Sequence, residues 1–383
     1  MAYLDNAAGA PLRPEAAAAI RAATDSGLTN PSGAHAAARR ARDAVDAARD
    51  TVAAALGVDA AGVVFTSGGT EADNLAVGAA GSARTGALVC SAIEHHAVLR
   101  PVLAAGGRTV AVTGEGVVDL ARLDEALDPK VALVSVMAAN NETGAIQPLD
   151  EVVAIVRAKA PGAVVHTDAV QALPWMALSG ALSPVARCDL VAISAHKIGG
   201  PAGVGALATR GVPVRPLLLG GGQERGRRSG TPNVTGILAM AAAMRAATEQ
   251  RADEVARVRA LRDRLEEGLA EAIDGVTVSA AGAERLVGHC HLTIDGVESE
   301  ALLVLLDEAG IAASGGAACA SGALDPSHVL LAMGATPAQA RSGLRLSLGW
   351  ATTASEVDKA LDVVPKAVGN LRRHSRRIGA GVL

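Results

Sequence analysis

Lys197 has the most reactive side chain in a suggestive place, because an amine can form a Schiff base or move a proton once its surroundings lower its pKa. It closes the stretch Cys188 to Gly200, in which Leu190, Val191, Ala192 and Ile193 form a short apolar run bounded by polar residues and glycines. Such a run reads as a strand buried on both faces. Lys197 then falls just past a strand end, together with Ser194 and His196. In an open α/β sheet that edge is where ligands bind. A lysine in a surface turn would show the same local pattern, so the assignment depends on what other strand ends carry.

Two of them carry complementary groups. From Val63 to Asn74 a strand passes through Gly68 and Gly69 into a helix opening with Thr70 and Glu71. Free amides at a helix start plus a hydroxyl suit a phosphate, although an ordinary helix cap looks alike. From Val164 to Gln171 a buried strand ends in Asp168. That carboxylate could cap the next helix or, beside Lys197, pair with the ring nitrogen of a pyridinium cofactor and make the ring an electron sink. His95 follows a further strand and could lie flat on such a ring, with His96 better suited to the turn. Amine, carboxylate and phosphate site together match pyridoxal 5'-phosphate.

The elements that must position these groups alternate. Strands are expected at 62–66, 87–91, 108–112, 131–137, 163–167, 190–194 and 204–208, with helices between them, which predicts a large domain built on a mostly parallel seven-stranded sheet. A helix over 34–56 has charges of both signs on an exposed face. From about Ala252 the pattern becomes α+β, with strands at 276–279, 289–294 and 342–347 and helices at 252–273, 300–309 and from about Ser355, the expected N-cap ahead of Glu356. The division expected is 14–251 for the large domain, with 1–13 and 252–383 forming the smaller one.

Composition narrows the function classes. Aromatics are 1% of 383 residues while hydrophobic residues reach 50%, so the core is aliphatic and built from small side chains. A net charge of -4 speaks against nucleic-acid binding. The basic cluster Arg372, Arg373, His374, Arg376 and Arg377 reads as a solvated helix end. No apolar run reaches the length of a membrane span, and the N-terminus lacks the basic and apolar regions of a secretion leader, so a cytoplasmic location is expected. Cys90, Cys188, Cys290 and Cys319 are scattered without metal-ligand spacing, so no metal site is expected.

With these residues in view, the chain resembles the cysteine desulfurases of the class V, fold-type I aminotransferase superfamily over nearly its whole length. The matching stretches are Tyr3 to Ala8, Asn30 to Ser32 with His35, Phe65 to Glu71, Glu94-His95, Asn140 to Gly144, Asp168 with Gln171, Ser194 with His196-Lys197, Gly220 to Glu224 with Arg228 to Thr231, Ala318 to Ser321, and Leu344 to Gly349. The resemblance implies pyridoxal 5'-phosphate on Lys197 as a Schiff base, Asp168 at the pyridine nitrogen, Gln171 and Asn141 near the ring oxygen and substrate, and His95 on the ring as an acid or base. Gly69, Thr70, Ser194 and His196 would hold the phosphate, joined by Thr231 from a partner subunit, which implies a homodimer. Arg345 would grip the substrate α-carboxylate, which suits a planar guanidinium.

Cys319 separates the reactions open to this superfamily. Its small-residue surroundings, Ser314 to Gly322, predict a mobile loop. Taken alone it would be a small apolar core residue; the resemblance implies instead the thiolate that would take sulfur from L-cysteine as a persulfide, leave L-alanine, and pass the sulfur to an acceptor protein serving iron-sulfur cluster assembly or thio-modification. The alternatives are another class V reaction, such as selenocysteine lysis or transamination, and a sulfur-trafficking scaffold of weak activity. Gly315 and Ala317 stand where the family usually has serines, and Gly9 and Ala10 where it has threonines. These departures remove local hydrogen bonds but no catalytic group.

Overall fold

The computed structural model describes residues 1–83, 86–315 and 326–380. In chain order the strands are β1 (Ala2–Tyr3), β2 (Val63–Thr66), β3 (Ala87–Ser91), β4 (Arg108–Val110), β5 (Val131–Ser135), β6 (Val164–Asp168), β7 (Leu190–Ser194), β8 (Gly205–Thr209), β9 (Val276–Val278), β10 (His289–Ile294), β11 (Ile311–Ala312) and β12 (Gly343–Ser347). The main sheet has seven strands in the order β2-β8-β7-β6-β5-β3-β4. β7, β6, β5, β3 and β4 run parallel, and β8 lies antiparallel to both β2 and β7. The expected mostly parallel seven-stranded sheet is therefore present, and its α/β architecture is that of a fold-type I enzyme.

The strands form where they do because helices cover both faces. Every residue of β2, β5, β6, β7 and β8 is buried, so the sequence there runs continuously apolar instead of alternating. Successive side chains still point to opposite sides. Val63 and Phe65 of β2 join the core under the helices Pro14–Asp25, Ala36–Leu56 and Val234–Glu249, whereas Val64 joins Leu75 and Val98 from the helices Gly69–Ala83 and His96–Ala104. Alanine supplies much of this packing, as in Ala239 and Ala243, both wholly buried. Small side chains let helix backbones come close where aromatics would hold them apart.

A second core lies elsewhere. β12, β10 and β9 form an antiparallel sheet backed by the helices Arg251–Ala272, Ser299–Glu308 and Ala354–Ala380. Leu265, Leu292, Leu344 and Val364 pack there with Ala2 and Leu4, which arrive because β1 pairs with β11. One sequence expectation is corrected here. The last long helix starts at Ala354, so Ser355 lies inside its first turn and Thr353 takes the cap position. Glu356 decides this by reaching back to the Thr353 N–H at 2.8 Å and its hydroxyl at 3.0 Å.

Candidate active site

The topology brings the C-terminal ends of β2, β3, β6 and β7 to one edge of the main sheet. There a cavity of about 830 Å³ is lined by Gly69, Thr70, His95, Asn141, Asp168, Gln171, Ser194, His196, Lys197 and Arg345, among others. Residues from opposite ends of the chain thus face one space. Of the site residues expected from sequence, Thr231 lies apart, in a neighbouring cavity of about 80 Å³ with Ser67 and Arg228. Cys319 is outside the described residues.

Lys197 ends a single helical turn after β7, and its Nζ donates to the carbonyls of Ala7 and Ala8 at 2.5 and 2.8 Å. Gln171 Nε2 donates to the same Ala7 carbonyl at 2.9 Å. The N-terminal segment therefore holds the amine in place at the cavity wall.

An anion cradle lies opposite. The helix Gly69–Ala83 starts at the cavity, directing its first amides into it. Gly68 has φ of 149°, open to glycine but strained for other residues, and a Cβ on Gly69 would come within 2.9 Å of Val170. A side chain here would fill the space an anion needs. Ser194 Oγ and His196 Nδ1 are 2.7 Å apart on the other side. Burial, and next the charge of Lys197, push His196 down to about 4, so it is neutral at pH 7. Arg228 clamps the cradle from behind, with Nε 2.8 Å from Glu71 and Nη2 2.9 Å from Ser67 Oγ. Burial opposes ionisation of Glu71, but hydrogen bonds from Arg228 and Ser67 outweigh it and hold the carboxyl below its usual range.

Asp168 ends β6 buried, accepting the Val170 N–H at 2.9 Å. Burial raises its pKa, although His95, that N–H and Lys197 pull the other way. A carboxylate so placed is stabilised by a cation arriving in the cavity. His95 Nδ1 accepts the Ala97 N–H at 3.1 Å and caps the helix His96–Ala104, so in the neutral ring the proton sits on Nε2. Arg345 reaches in from β12. Its Nη1 donates to the Asn141 carbonyl at 2.9 Å and its Nη2 pairs with Asp5 at 2.8 Å. Its buried Nε makes no hydrogen bond among the described residues.

Sequence reasoning passed over Asp5, Ala7, Ala8 and Asp73. Asp5 belongs to a recognised motif, so its position was visible, but its partner lies 340 residues away. Asp73 follows Thr70 on the same helix and also lines the cavity.

Fold and cavity together define an α/β enzyme with a lysine, a buried carboxylate and an anion cradle facing one space. The family described as aminotransferase class-V matches residues 2–360, and the chain belongs to it. Within it, the chain is 43% identical to the IscS-like cysteine desulfurase of Mycobacterium tuberculosis, over 97% of this chain and 98% of that protein. Among solved structures it superposes on a NifS-like protein with a TM-score of 0.88 and 34% identity, covering 96% of this chain and 99% of the other. It also resembles SspA, solved in complex with cysteine, with a TM-score of 0.77 and 27% identity over 91% of this chain and 99% of SspA.

Proposed function

We propose that the chain is a pyridoxal 5'-phosphate-dependent cysteine desulfurase converting L-cysteine to L-alanine, with Cys319 receiving the sulfur. The observation that carries this reading is the meeting of Lys197, Asp168 and the Gly69–Thr70–Ser194–His196 cradle on one cavity that also admits Arg345. The cavity fits the cofactor: the glycine-lined cradle suits its phosphate, Asp168 its protonated ring nitrogen, and Lys197 its aldehyde. When bound, pyridoxal 5'-phosphate supplies an electron sink for breaking bonds at the substrate's carbon skeleton.

The protein's own residues do the rest. Lys197, tethered to Ala7 and Ala8, would hold the cofactor through its amine and, when that amine is free, would be the base that takes the substrate's Cα proton. Arg345 binds the substrate carboxylate, its guanidinium already oriented by Asn141 and Asp5. His95, whose neutral ring carries its proton on Nε2, would serve as an acid or base toward the bound group, and Gln171 and Asn141 would help hold that group and the substrate. The Cys319 thiolate attacks the substrate sulfur: an S–S bond forms as the C–S bond breaks, the electron pair stays with the carbon skeleton, and protonation releases alanine.

Several further readings belong to this proposal. Thr231 serves the phosphate of the partner subunit, which makes the chain a homodimer. The chain divides into 14–251 and into 1–13 with 252–383; the second hydrophobic core, drawing on both Leu4 and Val364, supports that division. The sulfur acceptor is a protein, and the enzyme works in the cytoplasm; among the described residues no helix is long and apolar enough to cross a membrane.

Borohydride reduction of the purified yellow protein, followed by peptide mass mapping, tests the site. A pyridoxyl adduct on Lys197 is expected, and an adduct on another lysine, or none, would overturn the assignment.

A further inference from the structure

Behind Asp168 runs a buried polar column that the desulfurase reading leaves unused. His166 and Asp168 stand two apart on β6 and so share a face. Ser135 of β5 is the register partner of His166, and its Oγ lies 2.8 Å from His166 Nδ1. Asp73, on the helix covering this face, places Oδ1 3.5 Å from His166 Nε2. Neither of those two atoms has a hydrogen-bond partner among the described residues, so each is a buried polar atom left facing the other, and the side chains of His166 and Asp73 are 0% and 2% exposed. Asp73 also lines the cavity together with Asp168.

Two proton arrangements satisfy this column. In one, Asp73 is ionised, accepts Nε2–H from His166, and the Ser135 hydroxyl donates to Nδ1. In the other, Asp73 is a neutral acid that donates to Nε2, and His166 donates Nδ1–H to Ser135. Charge decides between them. Asp73, Glu94 and Asp168 are all buried and act on one another, and Lys197, with His95, favours the charge on Asp168. Among the described residues the one ion-pair partner of Asp73 is His166. Adjacent carboxylates in a dry pocket do not all ionise, and the one nearest the cations keeps the charge. Burial, followed by the charges of Asp168 and Glu94, pushes Asp73 well up; Glu94 is pushed up by burial too, with Asp168 adding to it and a bond from the Met137 N–H opposing it.

We propose that Asp73 is a positioning residue held as the neutral acid, donating its proton to His166 Nε2, so that Asp168 alone keeps a charge for the cationic ring. The role toward the ring rests on the desulfurase reading; the protonation of Asp73 does not.

Nitrogen-15 NMR of histidine-labelled protein reads the His166 tautomer directly, and the Nδ1–H form is expected. Asp73→Asn keeps a donor toward Nε2 and cannot ionise, so it is expected to retain pyridoxal 5'-phosphate and the pH profile of its absorbance within about twofold. Asp73→Leu leaves Nε2 unpaired and is expected to weaken cofactor retention about tenfold. An Nε2–H tautomer, or an Asn variant as impaired as the Leu variant, would overturn the proposal. If no cofactor binds the wild type, the desulfurase reading fails while the tautomer still decides the state of Asp73.

Discussion

Both sheets bury histidines against serines, yet they use them differently. In the main sheet His166 sits on Ser135 and beside Asp73, and its strand continues into the cavity with Asp168. In the three-stranded sheet His291 sits on Ser279 at 2.9 Å and faces Arg345 across the strand pair. Burial pushes both rings down to about 3. Burial is thus common to the two, and the neighbours distinguish them: carboxylates at a strand end in one case, a guanidinium and packing in the other. On the proposed reading the main sheet would supply chemistry from its strand ends, whereas the smaller sheet carries a second core and would lend the site one recognition group, Arg345.

Breaking that division should give effects of falling size. The largest is Lys197→Ala, which acts on the main-sheet edge and should lower alanine formation by at least about 10³-fold, with a urea midpoint close to wild type. A large fall in stability would show Lys197 to be a structural residue. Next, Arg345→Lys keeps the charge but loses the planar fork, so kcat/KM should fall roughly 10- to 100-fold, mostly through KM. A change confined to kcat would place Arg345 in the chemistry and blur the contrast between the sheets.

Stability against pH sharpens the comparison from the other side. An unfolded histidine binds its proton below about 6.5, whereas folded His166, His289 and His291 stay neutral down to about 3. Stability should therefore be complete above pH 6.5 and fall as pH drops toward 3, by up to about 1.4 kcal/mol per pH unit for each ring. His291→Gln should flatten that slope in urea melts at pH 7 and 5 while leaving KM for cysteine within about threefold. An unchanged slope would contradict the account of this sheet. The smallest effect is expected from Thr353→Ala, which should cost about 1 kcal/mol in the same melts without altering turnover.

The two regions were also unequally legible in the sequence. The main strands showed themselves because helices bury them on both faces, leaving unbroken apolar runs such as Leu190 to Ile193. Lys197, Asp168 and Thr70 were readable because each follows such a run directly, where the chain must turn at the sheet edge. What escaped is whatever is assembled across elements. The Ser135–His166–Asp73 column spans two strands and a helix, with no spacing pattern to announce it. The Asp5–Arg345 pair joins the two ends of the chain. At the last helix, Thr353 and Ser355 are both good caps, and the choice depended on how far Glu356 reaches back.

The central claim is that L-cysteine gives up its sulfur in the cavity at the end of β7. Alanine release from L-cysteine, measured beside the intact mass of the chain for the wild type and Cys319→Ala, tests it most directly. The account predicts alanine and a one-sulfur adduct on the wild type, with the adduct and turnover lost in the variant while its cysteine-dependent absorbance change persists. Unimpaired turnover in Cys319→Ala, or absence of alanine from a cofactor-loaded wild type, would contradict it.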